Sequence, residues 1–192
     1  MKLPKDKLHW LEEVLQSVAA PKGVTTKAGL LQLGFAGFIT VQELLNCRLP
    51  QDLVLKRCGV YVVVAPPGYL PVFISPEEAR ARHNVLRPWP VEKLLGKWVA
   101  SVETLYIGAA GIDSQKSLAQ RLKELGRHAS GRTRARGPHT GGEILWQLRG
   151  FEAFEVGYLP TEGSPVPRQV EKLLLSAFVK ETGKAPFANR RF

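Results

Sequence analysis

Glu103-Thr-Leu-Tyr-Ile-Gly108 is the stretch on which the fold turns. Leu105, Tyr106 and Ile107 suit a pleated, half-buried surface, and Gly108 closes the run where backbone can turn or be closely approached. Upstream, Gly59-Val-Tyr-Val-Val-Val64 has the same grammar, an aliphatic strand with one tyrosine beside a glycine. Alone, either is a core strand with a tolerated tyrosine.

Working outward, Asp113 or Ser114 is placed to cap a helix with apolar positions Leu118, Leu122 and Leu125, ended near Gly126. A basic segment follows. Gly126 to Gly142 holds four arginines, two histidines, five glycines and no acid. Glu143 to Leu148 reads as helical, Phe151–Leu159 as a strand, and Pro167 to Lys180 as the strongest helix. Its apolar face is Val170, Leu173, Leu174, Ala177 and Phe178.

Before the tyrosine strands, residues 5–20 read as a helix with Leu8, Leu11, Leu15 and Val18 on one face. Thr25 or Thr26 can cap a short helix to Leu33. Gly34–Ile39 is glycine-interrupted and extended. Thr40-Val-Gln-Glu43 is a capping-box pattern. Residues 1–55 therefore read as a mostly helical accessory cap, and 56–192 as the main domain. An insert at about 66–102 carries a helix begun by Ser75-Pro76, another over Val91–Trp98, and a short edge strand at Tyr69–Ile74 weakened by Pro71. The predicted class is α+β or mixed α/β, with a small sheet flanked by helices.

Composition bounds the function. The chain has 192 residues, 44% hydrophobic and 23% charged, with 27 Lys and Arg against 17 Asp and Glu, a net charge of +10. That balance favours polyanionic partners, nucleic acid first and an anionic membrane surface second. No apolar run approaches the ~20 residues of a membrane helix, and the charged start is unlike a signal peptide. Cys47 and Cys58 read as buried thiols rather than a disulfide, and no Cys/His cluster has zinc spacing. A cytoplasmic protein is expected.

Taken singly, the chemically capable residues are ordinary. Tyr61 and Tyr106 are packed phenols, and Arg121 is a solvated helix residue. Glu171 is an exposed acid paired with Lys172 or Arg168, Asn189 is a turn residue, and Lys116 is a surface lysine. Their order is less ordinary: Gly59-Val-Tyr61, Tyr106-Ile-Gly108, Leu118-Ala-Gln-Arg-Leu122, a glutamate on a late helix, then Pro186-Phe-Ala-Asn189. From Gly59 to Asn189 the chain resembles the GIY-YIG nuclease superfamily. The resemblance implies an α+β fold with a three-stranded antiparallel sheet, in which the two tyrosine strands pair and Phe151–Leu159 is the third, and a metal-dependent endonuclease. Tyr61 and Tyr106 would lie near the scissile phosphate and Arg121 would contact it. Glu171 would be the single carboxylate ligand of Mg²⁺ (or Mn²⁺), and Asn189 would brace the site. The long step from Tyr61 to Tyr106 departs from the family pattern. So does Ala109, where many relatives carry Lys or Thr; Lys116 is the candidate substitute cation. His128 is not spaced to share a helix face with Arg121.

The types suit the chemistry. Phosphodiester hydrolysis builds negative charge on phosphoryl oxygens, which an arginine and a metal stabilise. Mg²⁺ keeps most of its waters and needs only one or two carboxylates. Lys123, Arg127, Arg132, Arg134, Arg136 and Arg190 are candidate contacts to nucleic-acid phosphates. Double-stranded DNA is the expected partner, in a restriction, mobile-element or repair setting, with a homodimer wherever two strands are cut. The alternatives are a non-catalytic nucleic-acid-binding protein on the same scaffold and an RNA-directed nuclease.

Overall fold

The valine run of the Gly59 strand belongs to a strand covered on both faces, and every one of its six residues is buried. A computed structural model describes residues 23–46, 57–82, 88–111, 116–129, 142–161 and 166–190. In chain order the elements are α1 (Lys27–Gln32), β1 (Ala36–Thr40), α2 (Val41–Leu45), β2 (Gly59–Val64), α3 (Pro76–Arg82), α4 (Val91–Lys97), β3 (Thr104–Ala110), α5 (Leu118–Ala129), α6 (Gly142–Leu145), β4 (Glu155–Pro160) and α7 (Val166–Thr182). A 3-10 turn, Phe151–Ala153, precedes β4. The helix expected over residues 5–20, Cys47, Asp113, Ser114, most of the basic segment (130–141) and Arg191 lie outside the described residues.

The mixed α+β class holds, with an antiparallel sheet in the order β1-β4-β2-β3. The expected three strands are four. The fourth is β1, from the region read as a helical cap, and it pairs with β4 through Ala36↔Tyr158 and Ile39↔Val156. Gly37, at φ 90°, permits this: a Cβ there would come within 2.7 Å of two Tyr158 ring atoms. Tyr69–Ile74 forms no strand, only a bridge between Phe73 and Leu148, as Pro71 foreshadowed.

Two cores flank the sheet. Val60, Val62, Val64 and Ile107 pack against Leu30 and Leu33 of the α1 region and against Val170, Leu174 and Phe178 of α7. On the other face Tyr61, Val63, Tyr106 and Ala110 meet Leu118, Leu122 and Leu125 of α5, with Trp146 and α2. Local chemistry sets the helix starts. Thr26 accepts from the Gly29 N–H at 3.2 Å. Thr40 and Glu43 form a reciprocal capping box. Ser75 Oγ accepts from the Glu78 N–H. At α5 the cap is Ser117, whose Oγ and N–H exchange bonds with Gln120. Cys58, expected to be a buried thiol, is a half-buried free one. Among the described residues no helix is long and apolar enough to cross a membrane.

Candidate functional site

Antiparallel register places the two tyrosines together. Tyr61 lies opposite Gly108 and Val63 opposite Tyr106, so both phenols project from one face as diagonal neighbours. Their ring centroids are 5.8 Å apart, inclined at 47°. Gly108 makes room: a Cβ there would sit 2.7 Å from a Tyr106 ring carbon and 2.8 Å from Tyr61. Gly59 has a similar function lower in the pair, where a Cβ would meet the Leu159 carbonyl at 2.4 Å.

The phenols are hydrogen-bonded to each other. Burial, then the neighbouring Tyr106, holds Tyr61 well above the ordinary tyrosine range. Burial pushes Tyr106 up to about 12, while its bond with Tyr61 pulls it down. Tyr61 is fully covered and Tyr106 is 6% exposed, so Tyr106 is the outer member.

Arg121 comes to this pair from α5, one turn inside the helix. Burial works against its charge, but the two phenols and Glu124 outweigh it and raise its pKa. Its Nη1 donates to Glu124 Oε2 at 3.0 Å, and Lys116 Nζ bonds the other Glu124 oxygen. Glu124 thus joins Lys116 to Arg121 across the start of α5. It was not singled out from the sequence, although its three-residue spacing from Arg121 was the available signal. Lys116 is held beside Arg121 and is not itself among the groups that perturb the phenols.

Glu171 arrives from α7, on the opposite side of the sheet, at the free edge of β3. Burial raises its carboxyl; Arg168 on its own helix, Arg121 across the site and the Ala109 N–H lower it. Glu171 is therefore not the exposed acid its spacing suggested: its carboxyl is desolvated and feels the charges of both Arg168 and Arg121. The same edge is occupied along its length. Ala188 N donates to Leu105 O at 2.8 Å. The Asn189 side chain accepts from Ile107 N at 3.0 Å and donates to Ile107 O at 2.8 Å. Glu171 takes the next outward N–H, at Ala109. Ala188, Asn189 and Glu171 meet four of the outward backbone groups on this edge, at Leu105, Ile107 and Ala109. Asn189 is 7% exposed and its amide is committed to Ile107, so its place is behind the site as a brace.

Tyr61, Tyr106, Arg121 and Glu171 thus form one electrostatically coupled group. Among the described residues no three His, Cys, Asp or Glu side chains gather as a metal cluster. A single carboxylate fits a hard cation that retains its waters, and Glu171 has the character for it. It is a desolvated oxygen donor, and the Ala109 N–H takes one of about four lone-pair directions. Lys123 and Arg127 are exposed on α5, and Arg190 is exposed on the tail. Arg132, Arg134 and Arg136 lie outside the described residues. His128 is buried against the core face, away from a surface role. No family model, no curated protein and no solved structure matches the chain.

Proposed function

We propose that the protein is a divalent-metal-dependent endonuclease of the GIY-YIG type that hydrolyses phosphodiester bonds in double-stranded DNA. The observation that carries this reading is the convergence of Tyr61, Tyr106, Arg121 and Glu171, from four separate elements, on one end of β3. A packed phenol pair needs no buried arginine beside it, and a surface glutamate needs no desolvation. Bringing all four together answers a ligand with both negative charge and a need for a cation.

Arg121 is the phosphate contact. Its guanidinium keeps its charge at any working pH, and Glu124 fixes its direction, so it stabilises charge that grows on a phosphoryl oxygen. Glu171 is the metal ligand, and bound Mg²⁺ or Mn²⁺ supplies Lewis-acid stabilisation to the same oxygens. Tyr106 is the phenol that faces the reacting group, with Tyr61 behind it. With its pKa pushed up to about 12, Tyr106 is a neutral hydroxyl near pH 7. It orients a water or a phosphate oxygen by hydrogen bonding, and losing its proton needs more positive charge than Arg121 supplies. Two such sites in a homodimer would serve to cut both strands.

The test is incubation of the purified chain with plasmid and Mg²⁺ or Mn²⁺. Discrete fragments identify a restriction enzyme or mobile-element nuclease, and nicks at distorted duplex identify a repair enzyme. Salt-sensitive binding with no cleavage under any metal supports the second reading, a non-catalytic nucleic-acid-binding protein. Ala109 and the complete burial of Tyr61 favour that reading. Cleavage of RNA in preference to DNA transfers the same chemistry to an RNA substrate.

A further inference from the structure

The tail that braces β3 also organises cations. Lys97, the last residue of α4, donates from Nζ to the Asn189 main-chain oxygen at 2.8 Å. Lys184 Nζ approaches the Gly96 carbonyl at 3.4 Å. The Arg190 guanidinium lies 5.6 Å from the centre of the Trp89 ring. Trp89 is itself clamped: its N–H donates to the buried Gln147 amide, which returns a bond to its carbonyl.

Among the described residues, Lys27 is paired with Glu155, Lys116 and Arg121 with Glu124, and Arg149 with Glu78. Lys97 and Lys184 are oriented by neutral carbonyls, contacts that position their charge without neutralising it, and the Arg190 guanidinium lies over an aromatic face. From Gly183 to Arg190 the tail has no acidic residue, and the one acid of α4, Glu92, lies in its first turn. Burial and the charge of Arg190 both press the Lys97 pKa down, the mark of like charges held close. Asn189 links this cluster to the site. Its carbonyl receives Lys97 while its side chain holds Ile107, and Ile107 is one two-residue step, about 7 Å, from the Ala109 that Glu171 engages.

We propose that Lys97, Lys184 and Arg190 form a phosphate-binding surface for the nucleic-acid backbone flanking the phosphate at the Tyr106–Glu171 site. This deepens the nucleic-acid reading of that site and rests on it. The neutral contacts preorganise the cations, and each phosphate they engage releases condensed counterions.

The experiment measures binding of the full chain to a mixed-sequence 20-base-pair duplex in EDTA across a series of salt concentrations. The variants are Lys184→Gln, Arg190→Gln and the triple variant with Lys97→Gln. Each neutralised cation should make the slope of log K against log salt shallower by about 1. The triple variant should bind about tenfold or more weakly at 100 mM salt, while Lys97→Arg keeps the wild-type slope. Lys184 and Arg190 are exposed, so their single variants test the surface even if the triple variant fails to fold. Unchanged slopes in both singles overturn the surface. Wild-type binding without cleavage in Mg²⁺, accompanied by the slope changes, overturns the nuclease reading and supports the surface. Cleavage with unchanged slopes overturns the surface alone.

Discussion

Tyr61 and Tyr106 share a hydrogen bond across the β2–β3 pair, with the two rings 5.8 Å apart over Gly108. Tyr61 is the inner phenol and Tyr106 the outer one. Tyr106→Phe should therefore lower single-turnover plasmid cleavage by roughly 10²–10³-fold, as for other lost donors to developing charge. Tyr61→Phe, which acts through Tyr106, should cost about tenfold. Equal losses for the two variants would contradict this inner and outer order.

Gly108→Ala tests the packing. The added Cβ would lie within 3 Å of atoms in both buried rings, and neither ring is a free-swinging end. Overpacking of this kind costs about 1–3 kcal/mol. Thermal unfolding should shift down by roughly 3–10 °C for a chain of this size, and near-ultraviolet circular dichroism should report displaced tyrosines.

Glu171 has its pKa raised by burial. A carboxyl with a folded value above its unfolded one is destabilising when ionised: the penalty is absent below the unfolded value and complete above the folded one. Glu171→Gln should thus unfold at a temperature equal to or above wild type at pH 7–8, with the difference vanishing near pH 4. Added Mg²⁺ should raise the wild-type midpoint and leave the Gln variant unmoved. Cleavage should be lost while DNA binding persists. Full activity in Glu171→Gln would remove Glu171 from the metal site.

Glu124 bonds both Lys116 and Arg121. Arg121→Ala should cost roughly 10²–10³ in kcat, as for other charge-stabilising donors. Glu124→Gln should cost about tenfold and affect kcat more than KM, because it misdirects Arg121 without removing it. If Glu124→Gln leaves the rate intact, Arg121 is positioned by other contacts.

Asn189 bonds both main-chain groups of Ile107. Asn189→Ala should lose about 1–3 kcal/mol. Hydrogen exchange at the Ile107 amide should accelerate. Asn189→Asp retains the acceptor for the Ile107 N–H but sets a carboxylate against the Ile107 carbonyl, and it should be no more stable than the Ala variant.

Local sequence was sufficient for the strands around Tyr61 and Tyr106, for α7, and for the caps at Thr26, Thr40 and Ser75. Those signals lie within a few residues of what they specify: a valine run, an apolar repeat, a hydroxyl beside an N–H. The order of motifs was also enough to nominate Tyr61, Tyr106, Arg121 and Glu171. The extended reading of Gly34–Ile39 was not enough to add β1 to the sheet, because a strand's partner is chosen by the whole sheet and the open edge of β4 was invisible along the chain. Glu124 was missed for a similar reason. A glutamate three residues from an arginine is common on any helix, and only the burial of Arg121 gives this pair meaning.

Composition and short-range pattern therefore determined the basic charge and the α+β class, and the resemblance in motif order nominated the residues of the site. Tertiary structure alone decided that Tyr61 stands behind Tyr106, that Glu171 crosses from α7 to the Ala109 N–H, and that Asn189 closes the β3 edge while receiving Lys97. Each of these depends on how deeply a polar group is buried and on which distant backbone group it meets. Long-range pairing sets both, and no window of the chain contains them.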